Sequence, residues 1–265
     1  MLESIVLGAV QGIAEWLPVS SEGIIVLLKA NFFGEGFSLN NLISYALFLH
    51  LGTFLAAFIY FRKEIIKLFL ALLNYQKTAQ ENKKAINFYI LATAVSSIAG
   101  LTILKILTYI ESEIFLGGKG LTLLIGIALL ATAFLQFKKK DGGHYREEFN
   151  LKTTDGIILG VLQGLSIIPG LSRSGLTVSG LLLRKFNDST ALKLSFIMSL
   201  PIVLAGNVFL NLDKLVFSLE NLIGLAFSFV FGILTIHLLL KISQKINFAW
   251  FVLLFGLIVV ISAAV

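Results

Sequence analysis

Most of the chain consists of apolar stretches that approach the length of a membrane-crossing helix, and this limits the fold more than any other feature. Hydrophobic residues make up 57% of the 265 residues and charged residues only 14%, whereas soluble globular domains are about a quarter charged. A helix needs ~20 predominantly apolar residues to cross a bilayer. We therefore predict an all-α polytopic membrane protein.

Charge and cysteine content exclude several functional classes. The formal net charge is +6, and the chain contains no cysteine. There can be no disulfide framework, no thiol nucleophile and no thiolate metal site, and no histidine cluster has metal-ligand spacing. Basic residues of membrane proteins concentrate in cytoplasmic loops, so we expect no nucleic-acid partner. The start, Met1-Leu2-Glu3, has no basic stretch and does not predict a cleaved signal peptide.

Two of the apolar stretches are interrupted by polar residues, prolines and glycines, and we predict that each forms a re-entrant helical hairpin. The first covers residues 2–28 and the second covers residues 157–183. A basic, amphipathic segment at 64–85 is predicted to lie at the membrane interface. The remaining stretches predict full spans at 41–61, 86–108, 119–137, 190–211, 217–240 and 247–265.

The two hairpins share a spacing of unusual residues, which predicts an internal repeat. The first half would be residues 1–137 and the second 154–265, with a cytoplasmic linker at 138–153. Three spans after each hairpin make the second half enter from the opposite face, which is an inverted repeat. The matched segments are Leu7-Gly8-x-x-Gln11-Gly12 with Leu159-Gly160-x-x-Gln163-Gly164, and Pro18, Ser21 and Glu22 with Pro169, Ser172 and Arg173.

Basic residues lie mainly in the loops that this arrangement places on one face. Most Lys and Arg residues fall at 62–85, 138–155, 184–193 and 241–246, and few fall on the other face. Because basic loops stay in the cytoplasm, we predict that both termini are outside. The first hairpin would then enter the membrane from outside and the second from the cytoplasm.

Arg173 lies deep within an apolar stretch, in the segment 169–177, Pro-Gly-Leu-Ser-Arg-Ser-Gly-Leu-Thr. A charged side chain inside a membrane protein is paired or faces a polar cavity. The hydroxyl groups of Ser172, Ser174 and Thr177, together with the N–H groups of a helix that restarts here, suit a phosphate. This segment is therefore predicted to bind an anion.

Glu15 is a carboxylate within an apolar helix, four residues after Gln11 and on the same helix face. Intramembrane ionisable groups are commonly functional. The alternative for Glu15 is a protonated side chain that locks two helices together. The alternative for Arg173 is a purely structural pair with Glu15 or Glu22.

Serines and histidines in the apolar stretches give weaker signals. Ser20 and Ser21 lie at the predicted tip of the first hairpin, where small residues also serve helix packing. His50 and His237 lie within predicted spans, and each is interpreted as a hydrogen-bonded packing residue. Neither histidine has a catalytic constellation around it in the sequence.

The segments 11–21, Gln-Gly-Ile-Ala-Glu-Trp-Leu-Pro-Val-Ser-Ser, and 169–177 together carry a family resemblance. They resemble the two signatures of the undecaprenyl-diphosphate phosphatase family of the bacitracin-resistance type. The segments 49–53 and 195–201 are similar to further segments of that family. The resemblance covers the whole chain and implies an inverted-repeat enzyme that removes one phosphate from a polyprenyl diphosphate, at a site open to the outer face of the plasma membrane.

The resemblance also implies residue roles. Ser21 matches the nucleophile, Arg173 the diphosphate clamp, and Glu15 an essential carboxylate that serves as base or as ligand of a divalent cation, Mg²⁺ or Ca²⁺. The expected partners are the polyprenyl diphosphate and the bilayer, and formation of a homodimer is a further possibility. Hydrolysis would recycle the carrier lipid for cell-envelope glycans. Substrate-binding positions are Gln11, Ser20, Ser172, Ser174 and Thr177.

One position departs from the family pattern. Many members have histidine shortly after the paired serines, whereas this chain has Ile24 there and carries Glu22 beside Ser21. Either Glu22 or Glu15 then serves as the base for Ser21, or Glu22 pairs with Arg173 and blocks the anion site. The second case would leave a polyprenyl-phosphate flippase or transporter with impaired hydrolysis, or a structural subunit with an inactive site.

Overall fold

The computed structural model describes residues 1–33, 39–113, 145–168, 171–211 and 218–242, with isolated positions within 123–137 and 250–261. Its regular structure is helical, as predicted. Short 3-10 turns lie at Tyr75–Lys77 and Glu148–Asn150. The helices are α1 (Leu2–Ala14), α2 (Ser21–Phe32), α3 (Leu39–Tyr60), α4 (Arg62–Leu73), α5 (Gln80–Glu113), α6 (Thr153–Leu165), α7 (Arg173–Leu183), α8 (Asp188–Leu210) and α9 (Leu219–Ile242).

Three of these helices, α5, α8 and α9, are long and apolar enough to cross a membrane. A fourth span is reached if α3 is counted together with α4, which is bent from it by 78°. The class of multi-pass helical membrane protein is therefore confirmed. The predicted spans at 119–137 and 247–265 lie outside the described residues apart from isolated positions, and residues 138–144 of the predicted linker also lie outside them.

The segment at 64–85, predicted to lie at the membrane interface, is not a single helix. Helix α4 ends at Leu73, and α5 already begins at Gln80. Thr78 donates a hydrogen bond from Oγ1 to the Ala71 carbonyl oxygen at 3.0 Å, which folds the connection back on α4. The predicted span began at residue 86, where the sequence becomes apolar. Helix α5 begins six residues earlier, because the polar residues from Gln80 onward are also helical.

Both broken stretches consist of two helices that restart at a serine cap. Ser20 precedes α2 and accepts a hydrogen bond from the Gly23 N–H at 3.3 Å. Ser172 precedes α7 and accepts one from the Gly175 N–H at 3.1 Å. Such a cap satisfies an N–H group that has no partner within its helix. Pro18 lies in the first break, where its missing N–H would interrupt a helix, whereas Pro169 lies outside the described residues.

Glycines bring the first helix of each broken stretch against a long helix from elsewhere in the chain. A Cβ atom on Gly12 would lie 2.7 Å from the Ser228 carbonyl oxygen in α9. A Cβ atom on Gly164 would lie 2.7 Å from Ala99 Cβ in α5. Close backbone approach through small residues is a common way to pack helices in membranes. Helix α1 is thereby fixed on α9, and α6 on α5.

A buried carboxylate closes the base of the second broken stretch. Asp155 is fully buried and ion-paired with Arg146 and Arg184. Its Oδ2 also accepts a hydrogen bond from the Lys152 N–H at 2.8 Å. Burial raises the pKa of Asp155, but the hydrogen bonds from Arg146, the Lys152 N–H and Arg184 and the charge of Arg146 outweigh it and hold the pKa below its usual value.

Candidate active site

Glu15 lies just after the end of α1 and is the centre of a polar cluster between four helices. Only 4% of its side chain is exposed. Its Oε2 accepts hydrogen bonds from Gln11 Nε2 at 2.9 Å and from Ser21 Oγ at 2.8 Å. Its Oε1 is ion-paired with Arg173 Nη2. A buried carboxylate needs such partners because burial otherwise strongly disfavours its charge.

Ser21 is brought to Glu15 by the sharp return of the chain between α1 and α2. Trp16 anchors this return, since it is buried and its ring lies 4.7 Å from that of Phe196 in α8, centroid to centroid. Ser21 is the first residue of α2, and Ser20 uses its side-chain oxygen as the helix cap. The hydroxyl of Ser21 therefore stands at a helix N-terminus and points to a carboxylate.

Arg173 reaches Glu15 from the other broken stretch and is the first residue of α7. Its neighbour Ser174 donates a hydrogen bond from Oγ to the Leu17 carbonyl oxygen at 2.5 Å. The Oγ atoms of Ser172 and Ser174 lie 3.2 Å apart. Two segments separated by most of the chain thus meet directly, and two helix N-termini face one cluster, where their dipoles favour an anion.

His50 in α3 is a further member of the cluster, although its sequence position suggested only packing. Its Nε2 lies 3.0 Å from Glu15 Oε2, and its Nδ1 lies 2.6 Å from the Ala46 carbonyl oxygen. The signal that could have found it is the segment 49–53, already noted as similar to the family. Spacing along the chain gave no sign that this segment meets Glu15.

Two of the predicted site residues do not face the centre of the cluster. Glu22 is exposed, and the carboxylate that pairs with Arg173 is Glu15. Thr177 is fully buried and donates from Oγ1 to the Arg173 carbonyl oxygen at 2.8 Å. Its Oγ1 also lies 2.7 Å from Ser195 Oγ. Thr177 therefore supports the first turn of α7 rather than the cluster itself.

The donors around Glu15 do not fit a cation bound directly to this carboxylate. Oε2 already faces Gln11, Ser21 and His50, and Oε1 faces the guanidinium of Arg173. A divalent cation prefers several oxygen ligands, and it would have to displace these N–H and O–H donors. Among the described residues, no three His, Cys, Asp or Glu side chains are grouped so that they could hold a metal. The cation therefore stays a prediction, and Glu15 is poorly suited to be its ligand.

The arrangement suits nucleophilic attack on an anionic substrate. A hydroxyl hydrogen-bonded to a carboxylate can lose its proton as it attacks. An arginine at a helix N-terminus can stabilise the negative charge of a phosphate. Among the residues that the structure describes, Gln11 Oε1 has no hydrogen-bond partner although it is buried beside the carboxylate. The cluster therefore combines a nucleophile, a proton acceptor and an anion partner.

Comparisons with known proteins agree with this chemistry. A family model described as bacitracin resistance protein BacA matches residues 4–261. The chain is 39% identical to the undecaprenyl-diphosphatase of Methanococcoides burtonii over 98% of this chain and 97% of that protein. It is 36% identical to the undecaprenyl-diphosphatase of Methanothrix thermoacetophila, with 97% and 94% covered. It is 35% identical to that of Haloarcula marismortui, with 94% and 92% covered.

Proposed function

Because the chain belongs to the bacitracin resistance protein BacA family, we propose that it is a membrane phosphatase that hydrolyses undecaprenyl diphosphate. The products are the monophosphate and inorganic phosphate, so the reaction recycles the carrier lipid for cell-envelope glycan synthesis. The observation that carries this proposal is the hydrogen bond of Ser21 Oγ to Glu15 Oε2, with Arg173 on the other carboxylate oxygen. The flippase alternative is not favoured, because the relatives are named as phosphatases.

Ser21 attacks the terminal phosphorus of the diphosphate. Its hydroxyl proton passes to Glu15 Oε2, the bond from phosphorus to the bridging oxygen breaks, and the bridging oxygen leaves with its electron pair on the prenyl monophosphate. Water then attacks the phosphoserine, and Ser21 recovers its proton from Glu15 as inorganic phosphate departs. Atoms and protons balance over the two steps without any further reactant.

Arg173 binds the diphosphate and stabilises the charge that develops at the transferred phosphoryl group. Its guanidinium is ion-paired with Glu15, and its side chain is 15% exposed, so part of the group is open to a ligand. The N-terminal N–H groups of α2 and α7 add to the positive potential. The predicted substrate-binding positions shape the surroundings of the head group. Ser20 and Ser172 cap α2 and α7, Ser174 and Thr177 hold the start of α7, and Gln11 donates to Glu15.

The proposal extends to the architecture and the orientation. Residues 1–137 and 154–265 form an inverted repeat joined by the linker 138–153, and each half has a re-entrant hairpin and three spans. The packing of α1 on α9 and of α6 on α5 supports this, because each hairpin lies on a helix of the opposite half. Both termini are outside and the site opens to the outer face of the plasma membrane, as the positive-inside rule predicts. A divalent cation, Mg²⁺ or Ca²⁺, and a homodimer remain predictions.

Phosphate release from undecaprenyl diphosphate by the purified protein in detergent tests the function. We expect turnover by the wild type and a loss of at least about 10³-fold for Ser21→Ala, because the nucleophile is removed. Ser97→Ala is the matched control: its hydroxyl donates within α5 to the Thr93 carbonyl oxygen at 2.8 Å. It should turn over substrate at the wild-type rate.

Two results would contradict the proposal. Wild-type protein that releases no phosphate would remove the hydrolase assignment. Translocation of the intact lipid across proteoliposomes by such inactive protein would instead support the flippase. Full turnover by Ser21→Ala would leave hydrolysis in place but exclude Ser21 as the nucleophile.

A further inference from the structure

The imidazole expected shortly after the paired serines is absent, and the structure shows what stands in its place. Ile24 packs against a small apolar cluster formed by Ala14, Val19 and Ala133. A histidine there would direct a polar ring toward apolar side chains. The imidazole of the polar cluster comes instead from α3, where His50 contacts Glu15.

Both ring nitrogens of His50 face acceptors, which restricts where its protons lie. The Ala46 carbonyl oxygen, 2.6 Å from Nδ1, can only accept, so Nδ1 carries a hydrogen. Nε2 lies 3.0 Å from Glu15 Oε2, a distance that requires one hydrogen between the two atoms. The ion pair of Glu15 with Arg173 favours the carboxylate form. Nε2 is therefore the donor and Glu15 the acceptor.

The backbone that presents His50 is held firmly. Ser228 in α9 donates a hydrogen bond from Oγ to the Leu49 carbonyl oxygen at 2.8 Å. Thr53 donates one from Oγ1 to the His50 carbonyl oxygen at 3.0 Å. A Cβ atom on Gly52 would lie 2.7 Å from Ser228 Cβ, so α3 and α9 are in close contact here. The position of the ring is thus set by two helices outside both broken stretches.

We propose that His50 is a positioning residue, whose Nε2–H holds the Glu15 carboxylate in the orientation that accepts the Ser21 hydroxyl. It compensates for the imidazole missing at Ile24. Gln11 Nε2 approaches the same oxygen from α1, so donors from two helices fix the carboxylate while Ser21 approaches from a third. This inference rests on the proposed phosphatase function and adds a residue to it.

The experiment measures kcat, KM and thermal unfolding of the full-length protein in detergent, with undecaprenyl diphosphate as substrate. His50→Leu removes the donor and keeps the apolar bulk. We expect its kcat to fall about 10–100-fold, the usual cost of losing a residue that orients a functional group. KM should stay within about 3-fold, since His50 does not touch the diphosphate in this mechanism.

Two further variants separate positioning from general damage. His50→Gln restores a neutral N–H donor and should recover at least about a third of wild-type kcat. His237→Leu is the matched control, because His237 also lies in a membrane helix and its Nδ1 lies 3.3 Å from Tyr60 OH, outside the cluster. Its kcat should equal that of the wild type.

The outcomes distinguish this inference from the function on which it rests. Wild-type turnover that is lost in Ser21→Ala but kept in His50→Leu would overturn the role of His50 alone. That role would also be overturned if His50→Gln were as impaired as His50→Leu while both unfolded at the wild-type temperature. Absence of phosphate release by the wild type would overturn both the role of His50 and the phosphatase function.

Discussion

Glu15 and Asp155 are both buried carboxylates that are ion-paired with arginine, yet their surroundings differ in kind. The partners of Asp155 are Arg146 and Arg184, and a backbone N–H completes the set. Arg146 also donates to the carbonyl oxygens of Asn150 and Arg184. The charges at this cluster are therefore fully engaged with the protein itself.

The Glu15 cluster leaves capacity for a ligand. Its donors come from α1, α2, α3 and α7, and one of them is a hydroxyl. Within the described part of the chain, Glu15 is the hydrogen-bond partner of the Arg173 guanidinium. Two helix N-termini also point here. A buried ion pair therefore serves structure or function according to what its cation can still bind.

The largest effect should come from breaking the structural cluster. Asp155→Asn leaves two arginines without a charged partner, and we expect the free energy of unfolding to fall by about 3–5 kcal/mol. Turnover per folded molecule should change little. Thermal unfolding in detergent and phosphate release from the folded fraction check this. An unchanged unfolding temperature would contradict the structural role.

The pH dependence of stability provides a control for Asp155→Asn. The pKa of Asp155 is lowered by folding, so its contribution to stability is present above the unfolded-state pKa of about 4. It is lost as the pH falls through the lower, folded-state pKa. The difference in stability between wild type and Asp155→Asn should therefore narrow in strong acid.

Replacing one arginine of each cluster by lysine should separate catalysis from stability. Arg173→Lys keeps a charge but loses the planar fork, and we expect kcat to fall about 10²-fold, with nearly unchanged unfolding. Arg184→Lys is the counterpart and should lower the unfolding temperature with little change in kcat. Equal effects of the two variants on kcat would remove the distinction between the clusters.

The smallest effect is expected at Glu22. Its side chain is exposed, and Arg173 is paired with Glu15 instead. Glu22→Gln should therefore leave kcat within about 2-fold of wild type, as surface substitutions commonly do. A gain in turnover would instead indicate that Glu22 competes for the anion site. Steady-state phosphate release decides between these results.

The helices were predictable where the sequence itself is apolar over the length of a membrane span. The helices Leu39–Tyr60, Asp188–Leu210 and Leu219–Ile242 end within about two residues of the predicted spans. The start of α5 was missed because Gln80 and its polar neighbours form helix without being apolar. Both breaks were predicted from the sequence, and in the structure Ser20 and Ser172 cap the helices that begin after them.

The candidate site was predictable only in part, because its geometry depends on contacts between distant segments. Glu15 and Arg173 stand out as charges in apolar sequence, and Glu15 was one of two partners weighed for Arg173. His50 looked like a packing residue because nothing near it in the chain shows that α3 meets Glu15. Asp155 gave no signal, since it follows a predicted solvated linker and nothing in the sequence shows that it pairs with Arg146 and Arg184.

The glycine contacts of the hairpins also determine which parts of the protein can move independently. Gly12 lies against the backbone of α9, and Gly164 lies against α5 with its Ala99 side chain, so neither hairpin helix can slide on its partner without a steric clash. Helix α1 is held closely to α9, and α6 to α5. Glu15 directly follows α1, and Arg173 begins α7, whose Gly180 lies against Leu162 of α6. The ion pair of Glu15 with Arg173 therefore joins two groups of helices, each of which combines an early and a late part of the chain.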